Sequence, residues 1–426
     1  MEGMVTLSQK EQKRVAILIG VDKGTMTGKQ AAKVMGISWR HEKRLLAAYR
    51  KEGIGAMAHG NRGKKPHNAI GEEIKQKVFE LASTKYSGFN HQHFTEKLVE
   101  DEGIPLSRSS VRNILLKAGI ISPRKRRPPK HRSRRERYPK EGMMLQVDGS
   151  PHDWLGGRGP NLCLIGAIDD ATNKVPHALF QEQETSEGYM RMLQKIVLNQ
   201  GIPLALYHDR HSIFEVNEGA LPSLEEQLSG KEPKTQLGRL LEELGIESIP
   251  ANSPQAKGRV ERLWGTFQDR LASELRLAGA KTVEEANRVL ARFLPEYNRK
   301  FAVVARELGS AYLKTPEGFK PEEVFCFKYQ RVAGADNVVC FSGHRLQILP
   351  SQDRLSYARC IVEIHRRLNG SLAVYYKGRH LDIIPAPFEP AKLREPVLAG
   401  SSPQRHYAKP SPGHPWRGIF RQFVDR

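Results

Sequence analysis

Residues 121–140, ISPRKRRPPKHRSRRERYPK, hold ten Lys/Arg against one acid, Glu136, together with four prolines. A segment of that makeup has almost no apolar surface to bury and gives up a backbone donor at each proline, so it cannot sit inside a core. It divides the 426 residues into at least two separately packed parts, as that length also favours. Texture divides the chain further. Residues 1–65 and 66–120 read as two helical units, and 121–140 as a basic linker. Residues 141–310 alternate apolar strands with helical patterns, 325–388 carry short strands with turn signals, and 389–426 form a Pro-rich tail. No internal repeat is present.

Charge is as unevenly placed as texture. The formal net charge is +21, and residues 1–140 hold 31 Lys/Arg against 13 Asp/Glu, a net of +18. An excess gathered in one third of a chain points to a polyanionic partner rather than to general solvation. No apolar run approaches the ~20 residues that span a bilayer, and no signal peptide opens the chain. Nucleic acid is therefore expected as the partner, with no membrane, in a cytoplasmic, nucleoid-associated protein. Cys163, Cys326, Cys340 and Cys360 are scattered without a C-x-x-C pair, which fits reduced thiols rather than a zinc ribbon or a disulfide framework.

In the first unit, Val15, Ile17, Leu18 and Ile19 mark a helix, and T-G-K-Q-A-A-K-V-M-G-I-S-W-R-H-E-K-R-L-L follows at 27–46. Thr27 and Ser38 are N-cap residues. Gly36 can take the left-handed conformation that ends a helix, and Ala31 and Ala32 are small enough for close crossing. The second helix turns Trp39, Arg40, Lys43 and Arg44 outward, with Lys29 on the helix before it. This is the pattern of a helix-turn-helix, whose second helix enters the major groove. Residues 71–120 repeat the theme as a second helix-turn-helix or winged helix, with Ile74, Val78 and Leu81 at helical spacing. Ser107 opens a further helix carrying Arg108 and Arg112. In the linker, Arg124, Lys125, Arg126 and Arg127 would contact phosphates, which position a protein without specifying sequence.

The third region holds the chemistry. In M-M-L-Q-V-D (143–148), Leu145 and Val147 share one strand face, and Met144, Gln146 and Asp148 the other; Asp148 is expected to end the strand. L-C-L-I-G-A-I (162–168) reads as a strand covered on both faces, D-D-A-T-N (169–173) as a turn, and 175–180 as a returning strand. A helix at 186–198, a strand ending at Asp209, an insertion at 216–235, a helix at 237–244 and a strand at 246–249 follow. In 253–271, Val260, Trp264, Phe267 and Leu271 form the apolar stripe of a helix, with Glu261 at its edge, aligned with Gln268. Carboxylates thus fall on the first strand, the fourth strand and the last helix. Three such groups are enough to hold two divalent cations for phosphodiester chemistry, Mg²⁺ or Mn²⁺. Asp153, Asp169 and Asp170 are rivals, the last two reading as turn formers. His208 and His211 read as structural, and Trp154 as a packing residue.

On V-D-G-S-P-H-D-W (147–154), A-I-D-D-A-T (167–172), Y-H-D-R-H (207–211) and S-P-Q-A-K-G-R-V-E-R-L-W-G-T (253–266), the chain resembles insertion-sequence transposases of the ISNCY type, within the RNase H-like, retroviral-integrase superfamily. The resemblance covers roughly residues 7–390. It implies Asp148, Asp209 and Glu261 as an acidic triad that binds the metal, and a small C-terminal β-barrel. It also implies a role for the pair Tyr297-Asn298. Many relatives carry Lys or Arg two turns after the glutamate; here Gln268 stands there, leaving Arg270 or Lys257 for the DNA contact.

The whole is thus expected to be multidomain: an all-α helix-turn-helix N-terminal region, an α/β RNase H-like core and a small β-barrel. The expected activity is that of a DNA transposase that binds terminal inverted repeats and target DNA as a homo-oligomer, at least a dimer. The alternative is a DNA-binding regulator with an inactive core. In the tail, Trp416, Ile419, Phe420 and Phe423 form an apolar set that would dock on another protomer.

Overall fold

A computed structural model describes residues 6–59, 61–62, 64–123, 128, 136–216, 234–251 and 258–387. Arg124 to Arg127, Lys257, most of the expected insertion and the apolar set of the tail lie outside the described residues. The chain forms two compact units, residues 1–126 and 127–426.

The first unit is helical. Helices α1 (Gln9–Asp22), α2 (Gly28–Met35) and α3 (Trp39–Glu52) are followed by a 3₁₀ turn, Gly53–Met57. Val15, Leu18 and Met57 form their core, with Leu45, Leu46 and Tyr49 packed against it. The caps fall where the sequence places them. Thr27 accepts from the Gln30 N–H and Ser38 from the His41 N–H, and Gly36 ends α2 in the left-handed region at φ 64°. Helices α4 (Glu72–Ser83), α5 (His91–Glu100) and α6 (Arg108–Lys117) bury Val78, Phe94, Leu98, Val111 and Leu115.

The second unit is built on a five-stranded sheet: β1 (Met144–His152), β2 (Leu162–Asp169), β3 (Ala178–Gln181), β4 (Ala205–His208) and β5 (Glu247–Pro250). Their order is β3-β2-β1-β4-β5. β1, β2 and β3 pair antiparallel, while β1, β4 and β5 pair parallel. This is the mixed sheet that the order of strands and helices in the sequence leads to.

Both faces are covered. Leu145, Val147, Cys163 and Ile165 pack with α7 (Ser186–Asn199) and α8 (Gln236–Glu243). Leu162, Leu164 and Ile168 pack with α9 (Gly258–Leu277) and α10 (Val283–Phe301). Two asparagines of α10 cover the outer side of the sheet. Asn298 donates to the carbonyl of Val175 and accepts its N–H at 2.9 and 2.8 Å, and Asn287 does the same for Phe180 at 3.0 and 2.8 Å. Eleven residues apart, they lie on one helix face and satisfy an edge that would otherwise offer unpaired backbone.

Asp148 does not end its strand. β1 continues to His152, paired with β2 throughout; what stops at Gln146 is the pairing with the shorter β4.

Beyond the core lie α11 (Pro321–Val324) and strands β6 (Cys326–Val332), β7 (Val338–Phe341), β8 (His344–Ile348), β9 (Ile361–Arg367), β10 (Leu372–Tyr376), β11 (Arg379–Leu381) and β12 (Ile383–Pro385). They form two sheets, β11-β10-β9-β6 and β12-β8-β7, around Val339, Phe341, Ile348, Val362, Ile364 and Val374. The hydrogen-bonded edges do not close, so this is a two-sheet module rather than the expected barrel. The β7–β8 turn holds Ser342 and Gly343 at φ 47° and 81°, the left-handed pair that a two-residue hairpin turn requires. Among the described residues, no helix is long and apolar enough to cross a membrane.

Candidate active site and nucleic-acid interface

The parallel pairing of β1 and β4 ends shortly before the two aspartates. Met144 pairs with Ala205 and Gln146 with Tyr207; Asp148 and Asp209 each lie two residues past that last pair, Asp209 just beyond the end of β4. Asp148 shares the strand face of Gln146. It is the face on which α9 lies.

Helix α9 follows β1 closely. The Val260 N–H donates to Gln146 Oε1 at 3.4 Å, the Trp264 indole N–H to Asp148 Oδ2 at 3.0 Å, and Gln268 Nε2 to Ser150 Oγ at 3.4 Å. Four helical residues rise ~6 Å and two strand residues ~6.6 Å, so each step along the helix meets the next side chain on the same strand face. Gln268, which stands where many relatives have a cation, serves here as a contact to β1. Arg270 is buried, its guanidinium 5.0 Å from the Phe301 ring. Tyr297 is also buried among Phe267, Phe293 and Phe301, and burial pushes its hydroxyl up to about 12.

Glu261 occupies the first turn of α9 and is exposed. Among the described residues, no group of three or more His, Cys, Asp or Glu stands close enough to hold a metal ion. The structure thus lays the helix of Glu261 over the face that carries Asp148 and puts Asp209 just past the end of the neighbouring strand β4, without gathering all three carboxylates at one point. The donor chemistry fits a hard divalent cation, since all three groups offer oxygen.

Other acids do more than the sequence suggests. Asp169 and Asp170 do stand at a turn, but both are fully buried. Asp169 accepts from the Gly142 N–H and from the N–H and hydroxyl of Thr172, each at 2.8 Å. Burial lifts its carboxyl above the ordinary range, against the pull of those donors. Asp170 accepts from Arg259, Gln146 and the Tyr138 N–H.

Glu184, which sequence reasoning missed, presses its carboxyl onto Gly149, where any side chain would collide with it. A side chain at Gly149 would therefore have to displace the Glu184 carboxyl. Glu184 also accepts from the Tyr189 hydroxyl at 2.6 Å. Burial, followed by the charges of Glu184, Asp148 and Asp209, raises that hydroxyl well above its ordinary value. Burial likewise pushes the Cys163 thiol up to about 12, with Glu184 and Asp148 adding to it.

The remaining residues play structural parts. Asp153 accepts from the Gly157 N–H at 3.0 Å in a turn. His208 is buried, stacked on Phe214 at 4.1 Å and held between the Asp209 carbonyl and Ser248 at 2.6 and 2.7 Å. His211 accepts from the Ile213 N–H at 3.3 Å. Trp154 is buried and donates to the Ser150 carbonyl at 3.0 Å.

In the helical unit, Lys29, Trp39, Arg40, Lys43 and Arg44 are all exposed on α2 and α3. The ammonium groups of Lys43 and Lys29 lie 3.9 and 5.2 Å from the centre of the Trp39 ring. Between these cations Glu42 turns inward and is buried. Its carboxylate packs on Gly28, where a Cβ would come within 2.9 Å of it. That places a negative group at the N-terminus of α2, which the helix dipole favours. Arg108 and Arg112 are exposed on α6.

Comparison with known proteins adds the family. Residues 14–76 match the winged helix-turn helix family. The putative transposase y4bF of Sinorhizobium fredii (strain NBRC 101917 / NGR234) is 34% identical over 384 residues, covering 89% of this chain and 81% of the relative. The transposase for insertion sequence IS1202 of Streptococcus pneumoniae is 35% identical over 325 residues, 68% of each chain. Among solved structures, the HTLV-2 integrase catalytic core domain in complex with magnesium (trimeric form) matches 35% of this chain and 82% of its own, at 18% identity and a TM-score of 0.25. The simian T-cell lymphotropic virus intasome in complex with PP2A regulatory subunit B56 gamma matches 72% and 96%, at 14% identity and a TM-score of 0.30. Superpositions that loose carry no weight for the fold, which rests on the sheet order. A winged helix-turn helix match in one unit and a mixed α/β core in the other define a multidomain class of protein with a helix-turn-helix module. On its sequence relatives, the chain belongs to the transposase family.

Proposed function

We propose that the chain is a DNA transposase of the acidic-triad kind, in which Asp148, Asp209 and Glu261 hold Mg²⁺ or Mn²⁺. The observation that carries this reading is the hydrogen bond by which α9, the helix of Glu261, holds Asp148 on β1, beside the strand β4 that leads to Asp209. Bound cations would activate the attacking oxygen and stabilise the leaving one, in hydrolysis and again in strand transfer. The chain's own part is positional. Trp264 fixes the Asp148 carboxylate, Gly149 leaves room for Glu184 behind it, and α9 carries Glu261 across the sheet face. The exposed cations of α2, α3 and α6 would bind the terminal inverted repeats, and the basic linker would track phosphates. Joining two ends calls for at least a dimer.

The test is cleavage at the 3′ ends of repeat DNA, and strand transfer, with Mg²⁺. Glu261→Gln and Asp148→Asn are each expected to lower cleavage by ~10³-fold or more, the scale of several kcal/mol of lost charge stabilisation. Full activity in either variant removes the triad. Repeat binding with no cleavage under any divalent cation would favour a regulator with an inactive core.

A further inference from the structure

Arg259 stands two residues before Glu261 in the first turn of α9. Its guanidinium meets Asp170 Oδ1 at 2.7 Å, and the two side chains are 10% and 0% exposed. The same carboxylate accepts from Gln146 Nε2 at 3.0 Å and from the Tyr138 N–H at 2.9 Å. Gln146 in turn accepts from the Val260 N–H. One buried group thus joins the start of α9, strand β1 two residues before Asp148, and the backbone at the end of the basic linker. Arg137 braces the same turn by donating to the Ala171 carbonyl and to Asn173 at 3.1 and 3.0 Å.

A buried ion pair is a poor device for stability alone, because desolvation offsets much of its attraction. Its use lies in direction. A roll of α9 by about 20° would move an atom at its ~5–6 Å outer radius by roughly 2 Å. Metal–ligand distances tolerate only about 0.2 Å. Arg259 and Val260, the two residues immediately before Glu261, are the ones held, so the phase of the helix is fixed at the point where it matters.

We propose that Asp170 is a positioning residue for Glu261, acting through Arg259. This rests on reading Glu261 as a metal-holding carboxylate. The experiment uses the full chain and measures repeat cleavage as a function of Mg²⁺ concentration at saturating repeat DNA. Repeat-binding affinity is measured in parallel, below the melting transition of every variant. Asp170→Asn keeps one acceptor oxygen, for the Tyr138 N–H or for Gln146 but not both, and loses the charge; Arg259→Lys keeps the charge but loses the planar fork. Each is expected to raise the Mg²⁺ requirement or lower cleavage by ~10–100-fold, the usual cost of removing a partner behind a metal ligand, with repeat affinity unchanged. Wild-type Mg²⁺ dependence and rate in both variants would overturn the proposal. So would lost cleavage accompanied by equally lost repeat binding, the mark of general damage. Glu261→Gln serves as the control: wild-type activity there overturns the reading of the site itself.

Discussion

Helices α3 and α9 each place a tryptophan and several cations near their N-termini, and use them in opposite ways. Trp39 of α3 is 47% exposed, with two lysine ammonium groups over its ring, and Arg40, Lys43 and Arg44 face solvent beside it. Trp264 of α9 is 7% exposed and spends its indole N–H on Asp148, while Arg259 is buried on Asp170. The first arrangement leaves its donors for a polyanion. The second uses its donors within the protein and so fixes geometry. Exposed cations gain little until phosphates replace their counterions; buried ones fail sharply when a partner is removed. The same residue types thus mark a surface in one unit and a brace in the other.

The sharpest way to break that contrast is to delete both rings. Trp264→Ala is expected to cost about 3–5 kcal/mol of stability, as for a large core side chain, and to abolish cleavage. Trp39→Ala is expected to cost under about 0.5 kcal/mol and to weaken repeat binding instead. Denaturant unfolding of the full chain, with a binding titration, checks both; equal stability losses would erase the distinction.

A finer test leaves Trp264 in place. A methyl group at Gly166 would lie 3.0 Å from the far edge of the Trp264 ring and 3.2 Å from the Ala178 Cβ. Gly166→Ala is therefore expected to cost about 1–3 kcal/mol and to lower cleavage by pushing the indole off Asp148. Wild-type cleavage in that variant would mean that the brace is loose.

Acid separates the units by the smallest effect. Burial, then Lys195, brings His177 in the core from 6.5 to about 4. The unfolded chain takes up that proton first, so this contribution is complete above pH 6.5 and is lost as pH falls toward 4. Glu11 in the helical unit is lowered from 4.5 to about 2, first by Ser8 at the helix cap, with Arg62 and the His59 N–H adding. Its contribution is present above pH 4.5 and is lost as pH falls toward 2. Melting followed separately in each unit should show the core weakening at the higher pH, and the reverse order would refute both assignments.

Local chemistry made much of this legible. Thr27, Gly36 and Ser38 act on neighbours three or four residues away, and the caps form as read. Alternation put Gln146 and Asp148 on one face, and apolar runs gave the order of strands and helices in the core. What the sequence hides depends on distant partners. Asp170 looks like a turn former because it is one; its bond to Arg259, 89 residues away, adds no local sign. The closeness of Glu184 to Gly149, 35 residues away, leaves no mark in the sequence either. β1 runs past Asp148 because β2 continues beside it, which no property of β1 announces. Strand β6 ends in exposed Gln330, Arg331 and Val332, and sheet closure in the C-terminal module depends on edges that pattern does not reveal.

Trp264 lies 116 residues after Asp148 in the chain. At roughly 5–20 residues per second of synthesis, the strand bearing Asp148 leaves the ribosome about 6 to 23 s before its brace. Asp170 waits almost as long for Arg259. The nascent protein therefore owns its helix-turn-helix unit and both aspartates well before α9 exists, so under the proposed function a newborn chain would hold DNA before it could cut it.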